Sequence, residues 1–198
     1  MAEIRSTMDM VLERAARMEA EAANTHNNDE TLQAGMKTAA SYMRDEDVDL
    51  VKDLNSYQDK DKACVLKGLI QIFLRNIMLP REDDDQAGAN RAMQGLVELG
   101  QGSGDLLSIF SDMKSILDRY SEHKKQLKQQ LEEQFSQQMN MMEQDLAKKT
   151  GVSMKLEPSQ HPKFAEEWLK LRGQLNEQYG QALDQYKQHI EQQLTAMP

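Results

Sequence analysis

The stretch Ala63–Leu79, ACVLKGLIQIFLRNIML, decides the fold. Its polar members Lys67, Gln71 and Arg75 stand four residues apart, so on a helix they form one narrow stripe. Nearly everything else in it is apolar, from Val65, Leu66, Leu69 and Ile70 through Ile72, Phe73 and Leu74 to Ile77, Met78 and Leu79. A helix with so wide an apolar surface must be covered by other helices or by a bilayer. A bilayer span wants about 20 apolar residues with few charges. Here Lys67 and Arg75 would lie mid-membrane, and Lys60–Lys62 and Arg81–Asp85 flank the run closely. The stretch therefore reads as the core helix of a helical bundle, stopped by Pro80, because the residue before a proline avoids helical geometry.

Composition agrees with an all-α chain. Apolar residues make up 39%, aromatics only 5% and charged residues 29%, a balance that suits helices with much solvated surface. Ten glycines and four prolines in 198 residues leave long uninterrupted segments, and β-branched residues are sparse in them. The net charge of −9 opposes binding to nucleic acid through a broad basic face, and opposes anionic membrane surfaces equally. Residues 1–104 carry 12 basic and 19 acidic side chains, and residues 105–198 carry 12 and 14, so most of the acidity lies in the first half. The lone Cys64 cannot form an internal disulfide, and no basic-then-apolar leader opens the chain; a cytoplasmic protein is the expectation.

Working outward from the core helix, the pattern predicts a helix from about Ser6, with Met8, Val11, Leu12, Ala15, Met18 and Ala22 recurring at helical spacing. Asn24–Asn28 reads as a polar loop, and a second helix as Asp29–Arg44. A short helix follows the acidic run Asp45–Asp49, whose charges favour a helix N-terminus. After the core helix, Gln86–Leu99 reads as another helix. Gly100–Gly104 (GQGSG) is the sharpest break and the expected boundary between an acidic bundle, 1–104, and a second domain, 105–198.

That second domain begins with Asp105–Lys149, which contains neither proline nor glycine. Apolar residues recur along it at close to 3.6 per turn: Leu106, Phe110, Met113, Leu117, Tyr120, Leu127, Leu131, Phe135, Met139, Met142 and Leu146, with Lys124 in one gap. As a helix it would span about 65–70 Å. A loop at 150–161 precedes Pro162, which suits the first turn of a last helix running to about residue 196. Two one-striped helices joined by a short loop fold back as an antiparallel, coiled-coil-like hairpin. Folding about the loop centre pairs residues whose numbers sum to about 311, such as Leu131 with Tyr179, Leu127 with Leu183 and Tyr120 with Ile190.

Candidate binding residues gather at the hairpin tip. In GVSMKLEP, Val152, Met154 and Leu156 alternate with polar residues, as in a short extended segment with one apolar face. Met141 lies off the seam nearby, and Trp168 faces the same end. Methionine adapts to varied partners, so Met141, Val152, Met154, Leu156 and Trp168 form the candidate surface for another protein. The competing reading has this loop folding down to close the end of the hairpin.

Chemistry-bearing motifs are scarce. His123 and His189 sum to 312 and would face each other across the hairpin, but neither belongs to a Glu-x-x-His motif. Asp45, Asp47 and Asp49 imitate the start of a calcium loop, yet Leu50 stands where glycine is needed. Gly100–Gly104 lacks the lysine of a phosphate loop and is followed by Asp105. Cys64 lies in the most apolar run, where a thiolate is disfavoured. No catalytic residue, cofactor or metal is expected.

The opening MAEIRSTMDMVLERAARM resembles the N-terminus of uncharacterised bacterial helical proteins of the domain-of-unknown-function type. That resemblance implies a bacterial cytoplasmic protein and carries no catalytic or binding residues with it. The long hairpin also resembles, in general architecture, the projecting arms of chaperones and adaptor proteins. The expectation is a non-catalytic adaptor, scaffold or chaperone-like protein that binds another protein or a second copy of itself. The alternative is a small-molecule-binding module or enzyme with a pocket in the N-terminal bundle, closed by Lys67 and Arg75 against the acidic turns.

Overall fold

A computed structural model of the chain describes residues 7–81, 86–150, 157 and 161–196. Six α-helices occur among them: α1 (Thr7–Met43), α2 (Leu50–Asn55), α3 (Asp59–Asn76), α4 (Ala87–Leu99), α5 (Gly104–Thr150) and α6 (Pro162–Thr195). Among the described residues there is no strand, and the fold is all-α. No helix among them is long and apolar enough to cross a membrane.

The chain divides into two compact units, and not at a single point. Unit 1 is Met1–Ile77, Arg91–Ser103 and Glu191–Pro198; unit 2 is Met78–Asn90 and Gly104–Ile190. The reading from sequence placed one cut after Gly104, whereas Met78–Asn90 groups with the second unit and the last eight residues with the first.

In unit 1, α1 runs unbroken through Asn24–Asn28, where the sequence suggested a loop. The five residues there include no proline or glycine. Each costs only about 0.7 kcal/mol or less of intrinsic helix propensity, too little to stop a helix anchored further along. That anchor is α3. Gly35 of α1 lies so close to α3 that a Cβ there would overlap the carbonyl of Val65, and a Cβ on Gly68 would overlap the carbonyl of Leu32. The two helices cross backbone against backbone, which glycine alone permits. Around the crossing Ala39, Val65, Leu69, Ile70, Phe73 and Ile77 are buried, while Lys67 and Arg75 of the polar stripe are exposed.

Short elements complete the unit. Asp49 caps α2, its carboxylate accepting from the Lys52 N–H at 2.9 Å, and Leu50 and Leu54 are buried. Helix α3 stops at Asn76, earlier than the expected Leu79: Ile77 turns extended, and its N–H still reaches the Phe73 carbonyl at 3.3 Å.

α1 and α4 both end in the paired hydrogen bonds of a Schellman motif. Asp45 N–H donates to Tyr42 O and Glu46 N–H to Ser41 O, both at 3.2 Å; Gln101 N–H donates to Glu98 O at 3.1 Å and Gly102 N–H to Val97 O at 3.0 Å. The left-handed positions fall to Asp45 (φ 63°) and Gln101 (φ 52°), where glycine is usual.

In unit 2, α5 and α6 meet with rising numbers on one against falling numbers on the other. The Tyr120 hydroxyl donates to Asn176 Oδ1 at 2.7 Å, the Tyr120 and Tyr179 rings lie 5.6 Å apart, and Phe135 meets Phe164 edge-on at 5.5 Å. Partner numbers thus sum to 296–302 rather than 311, a shift of about 12 residues or three helical turns. The expectation assumed that the chain reverses at the loop centre. Instead α6 begins level with the turn of α5 that holds Phe135, and α5 continues past that level to Thr150. His161 sets the start of α6: its carbonyl accepts from Phe164 N–H at 2.9 Å and its Nδ1 from Lys163 N–H at 3.2 Å.

The register gives a direct test. Cysteines at His123 and Tyr179 will join through a short bismaleimide within one chain. Cysteines at Leu131 and Tyr179, paired under the loop-centred register, will not; equal yields would restore that register.

Candidate functional site

The part of unit 2 around the start of α6 holds the described members of the candidate surface. Leu131, Phe135 and Phe164 form a small buried cluster, and Trp168 and Leu171 pack against it half-buried. Spacing explains the group: Leu131 and Phe135 are one turn apart on α5, as are Phe164 and Trp168 on α6. The His161 ring lies 5.6 Å from Phe135 and extends this aromatic group.

Met139, one turn beyond Phe135, is 6% exposed, whereas Met141 is 70% exposed. On α6 Leu169, which sequence reasoning did not single out, is 62% exposed and borders an open depression with Lys163, Glu167, Lys170 and Gln174. Its signal was its place beside Trp168, off the apolar stripe. Val152, Met154 and Leu156 lie outside the described residues. Of the five candidates, then, Trp168 joins the aromatic cluster and Met141 stands clear of it at the surface.

Further along the α5–α6 pair, the seam carries polar handles. His123 Nδ1 lies 3.3 Å from the Tyr179 hydroxyl, so His123 faces Tyr179 and not His189. The shift in register removes the proposed histidine pair. Among the described residues no group of three or more His, Cys, Asp or Glu side chains could hold a metal ion. Lys124, the charged gap in the apolar stripe, donates to the Arg81 carbonyl and lies 6.0 Å from the Tyr120 ring centroid. Burial pushes the Tyr120 phenol above its ordinary pKa, against the opposing pull of Arg172.

Unit 1 contains a polar constellation that sequence reasoning missed. Arg91 donates through Nε to the Tyr42 carbonyl at 2.6 Å, stacks 4.8 Å from the Tyr42 ring centroid and pairs with the Asp45 carboxylate. The Tyr42 hydroxyl donates to Glu98 Oε1 at 2.8 Å. One arginine thereby ties the end of α1 to α4, and the Tyr42 hydrogen bond repeats the tie two turns along. Desolvation and then the Glu98 hydrogen bond push the Tyr42 phenol up to about 12.

The consequence is a pH window. An unfolded tyrosine ionises near 10, so the folded chain holds this proton more tightly above that value. The stability this group contributes is fully present below pH 10 and is lost as pH rises through about 12. Tyr42→Phe will flatten the alkaline fall in unfolding free energy by about 2 kcal/mol across that window, measured by urea denaturation. An unchanged alkaline slope would count against the Tyr42–Glu98 bond.

The alternative pocket gains no member from these contacts. Lys67 and Arg75 are exposed, and Asp83–Asp85 lie outside the described residues.

The fold and these contacts define an all-helical protein whose second unit is built on two long paired helices. The chain belongs to the family of unknown function DUF6657, whose model matches residues 51–192. That span runs from α2 to the last turn of α6, so the family rests there and not on the opening eighteen residues that first suggested one. No curated protein and no solved structure matches the chain.

Proposed function

We propose that the chain is a non-catalytic protein-interaction protein, an adaptor, scaffold or chaperone-like component, that engages another protein through the α5–α6 pair near the start of α6. The observation that carries this reading is the surface placement of large apolar side chains there. Met141 and Leu169 are mostly exposed, and Trp168 is half-buried over the Leu131–Phe135–Phe164 cluster. Apolar residues held at the surface on rigid helices, with an aromatic anchor between polar neighbours, are what protein interfaces use. A pair of long helices has a thin core, so a partner that covers it also adds to its stability. The net charge of −9 favours a protein partner over nucleic acid or an anionic membrane, and the lone Cys64 fits a reducing, cytoplasmic setting.

The test is affinity capture from native lysate with the intact chain and with a Met141→Lys, Leu169→Lys variant. Both positions are exposed, so the change in stability stays within about 0.5 kcal/mol and the circular dichroism melt is shared. A partner held by the intact chain and lost by the variant supports the reading. Equal recovery by both chains, or none by either, refutes it.

A further inference from the structure

The charges around Leu169 on α6 complement a second copy of themselves. Phe164 and Leu175 are the buried residues in this part of the helix. At about 100° per residue, Leu169 points roughly 120–140° away from both, toward solvent. Ala165 and Gly173, one turn to either side of it, are small and exposed, and nothing lies within 4 Å of a Cβ built on Gly173. Leu169 therefore stands out from its own face of the helix.

Charged residues flank that face in an ordered way. Lys163, Glu166 and Lys170 border the same depression as Leu169, and Glu177 is exposed two turns further along. Among the described residues these two carboxylates and two ammonium groups enter no ion pair. Trp168 lies half-buried on the opposite flank, with exposed Arg172 one turn beyond it.

A two-fold axis through Leu169 brings two such helices together antiparallel, with facing residues whose numbers sum to about 338. Leu169 then meets Leu169 of the second copy, with Ala165 opposite Gly173. Along one flank Glu166 adjoins Lys170, and Lys163 adjoins Glu177, each twice by symmetry. On the other flank Arg172 reaches the Trp168 ring, where a guanidinium is attracted to the aromatic face. The two Lys170 side chains make the one like-charged approach, and each has Glu166 of the other copy beside it. A parallel in-register pair would instead set Lys163 against Lys163 and Glu166 against Glu166, which the charges oppose.

We propose that this face of α6 pairs antiparallel with the same face of a second copy of the chain, with Leu169 on the two-fold axis. The pairing rests on the reading of this surface as an interface, names a second copy as one occupant of it, and leaves Met141 of α5 for the other protein.

Sedimentation equilibrium of the purified full chain tests it, with circular dichroism on every variant. The intact chain is expected to dimerise with a dissociation constant of about 10–100 µM, as suits a small face. Leu169→Lys, which places two charges on the axis, weakens the dimer at least about tenfold. Lys170→Glu weakens it about tenfold, and Lys170→Glu combined with Glu166→Lys restores it. In a Cys64→Ala background, chains with Lys163→Cys and chains with Glu177→Cys, once mixed, join to each other through a short bismaleimide. Neither joins to itself, a selectivity that misfolding cannot imitate. Four results would each overturn the proposal: a monomer up to about 1 mM, a dimer indifferent to Leu169→Lys, no rescue by the charge exchange, or crosslinks between two copies of position 163. A monomer that still takes a protein from lysate, and loses it with Met141→Lys, overturns this pairing alone and not the function proposed above.

Discussion

Gly68→Ala will lower the unfolding free energy by about 4 kcal/mol, although alanine is the best helix former. Propensity alone would favour this change by about 1 kcal/mol. The opposing term is steric: the new methyl would enter the Leu32 carbonyl, with Met36 N at 3.0 Å and Gly35 C at 3.3 Å. All three are backbone atoms, so no rotamer change relieves the overlap and the helices must separate. Separation loosens the packing along the whole α1–α3 crossing, where Ala39, Val65 and Leu69 are buried. Gly35→Ala should behave alike, since its Cβ would meet the Val65 backbone. Gly173→Ala in α6 is the control: nothing lies near its Cβ, and the change should stabilise by about 0.5–1 kcal/mol. Chemical denaturation of the three variants decides the matter. A change of under about 1 kcal/mol at Gly68 would mean that the helices cross further apart.

Phe73→Ala will cost about 3–5 kcal/mol. The ring is fully buried, meets the Tyr42 ring edge-on at 5.5 Å and passes beneath Gly95 of α4. Its removal forfeits the transfer of the ring from water and leaves a cavity bounded by two helices. The cavity would also undermine Tyr42, whose hydroxyl and carbonyl hold Glu98 and Arg91. Gly95→Ala probes the same contact from the other side. Its Cβ would lie 2.7 Å from Phe73 Cζ, at the far end of a side chain, so the cost should be smaller, about 1–3 kcal/mol. In a Phe73→Leu background that cost should fall by more than about 0.5 kcal/mol, the sign of direct coupling in a double-mutant cycle. Additive effects would show that the ring does not fill the space under Gly95.

The all-α class was legible because it rests on local features: helical spacing, scarce prolines and an apolar run too charged for a membrane. What escaped reading depends on relations between distant residues. Gly35 and Gly68 each stand singly inside a helical pattern, and nothing local shows that they meet. Tyr42, Arg91 and Glu98 are ordinary surface types until α1 and α4 come together. The α5–α6 register failed for a specific reason. An apolar stripe repeating every 3.6 residues looks nearly the same after three turns, or about 11 residues, so apolar meets apolar in either alignment. The choice is made by particular pairs, Tyr120 with Asn176 and Phe135 with Phe164, which periodicity does not rank.

The candidate surface was read in part for the same reason. Trp168 and Met141 both read from sequence as lying near the hairpin tip; the structure packs Trp168 against Leu131, Phe135 and Phe164. Leu169 lies outside the apolar seam that periodicity reveals, and a side chain left outside the seam is what a partner can reach.

The measurement that bears most directly on the proposed function is photocrosslinking in living cells of the native host. A benzoylphenylalanine would replace Met141 or Leu169 in the full chain, with exposed Met78 as the reference position. The account predicts a discrete crosslinked band at positions 141 and 169, containing a protein other than this chain or a second copy of it, and absent at position 78. Crosslinking at 141 and 169 no greater than at 78 would contradict it.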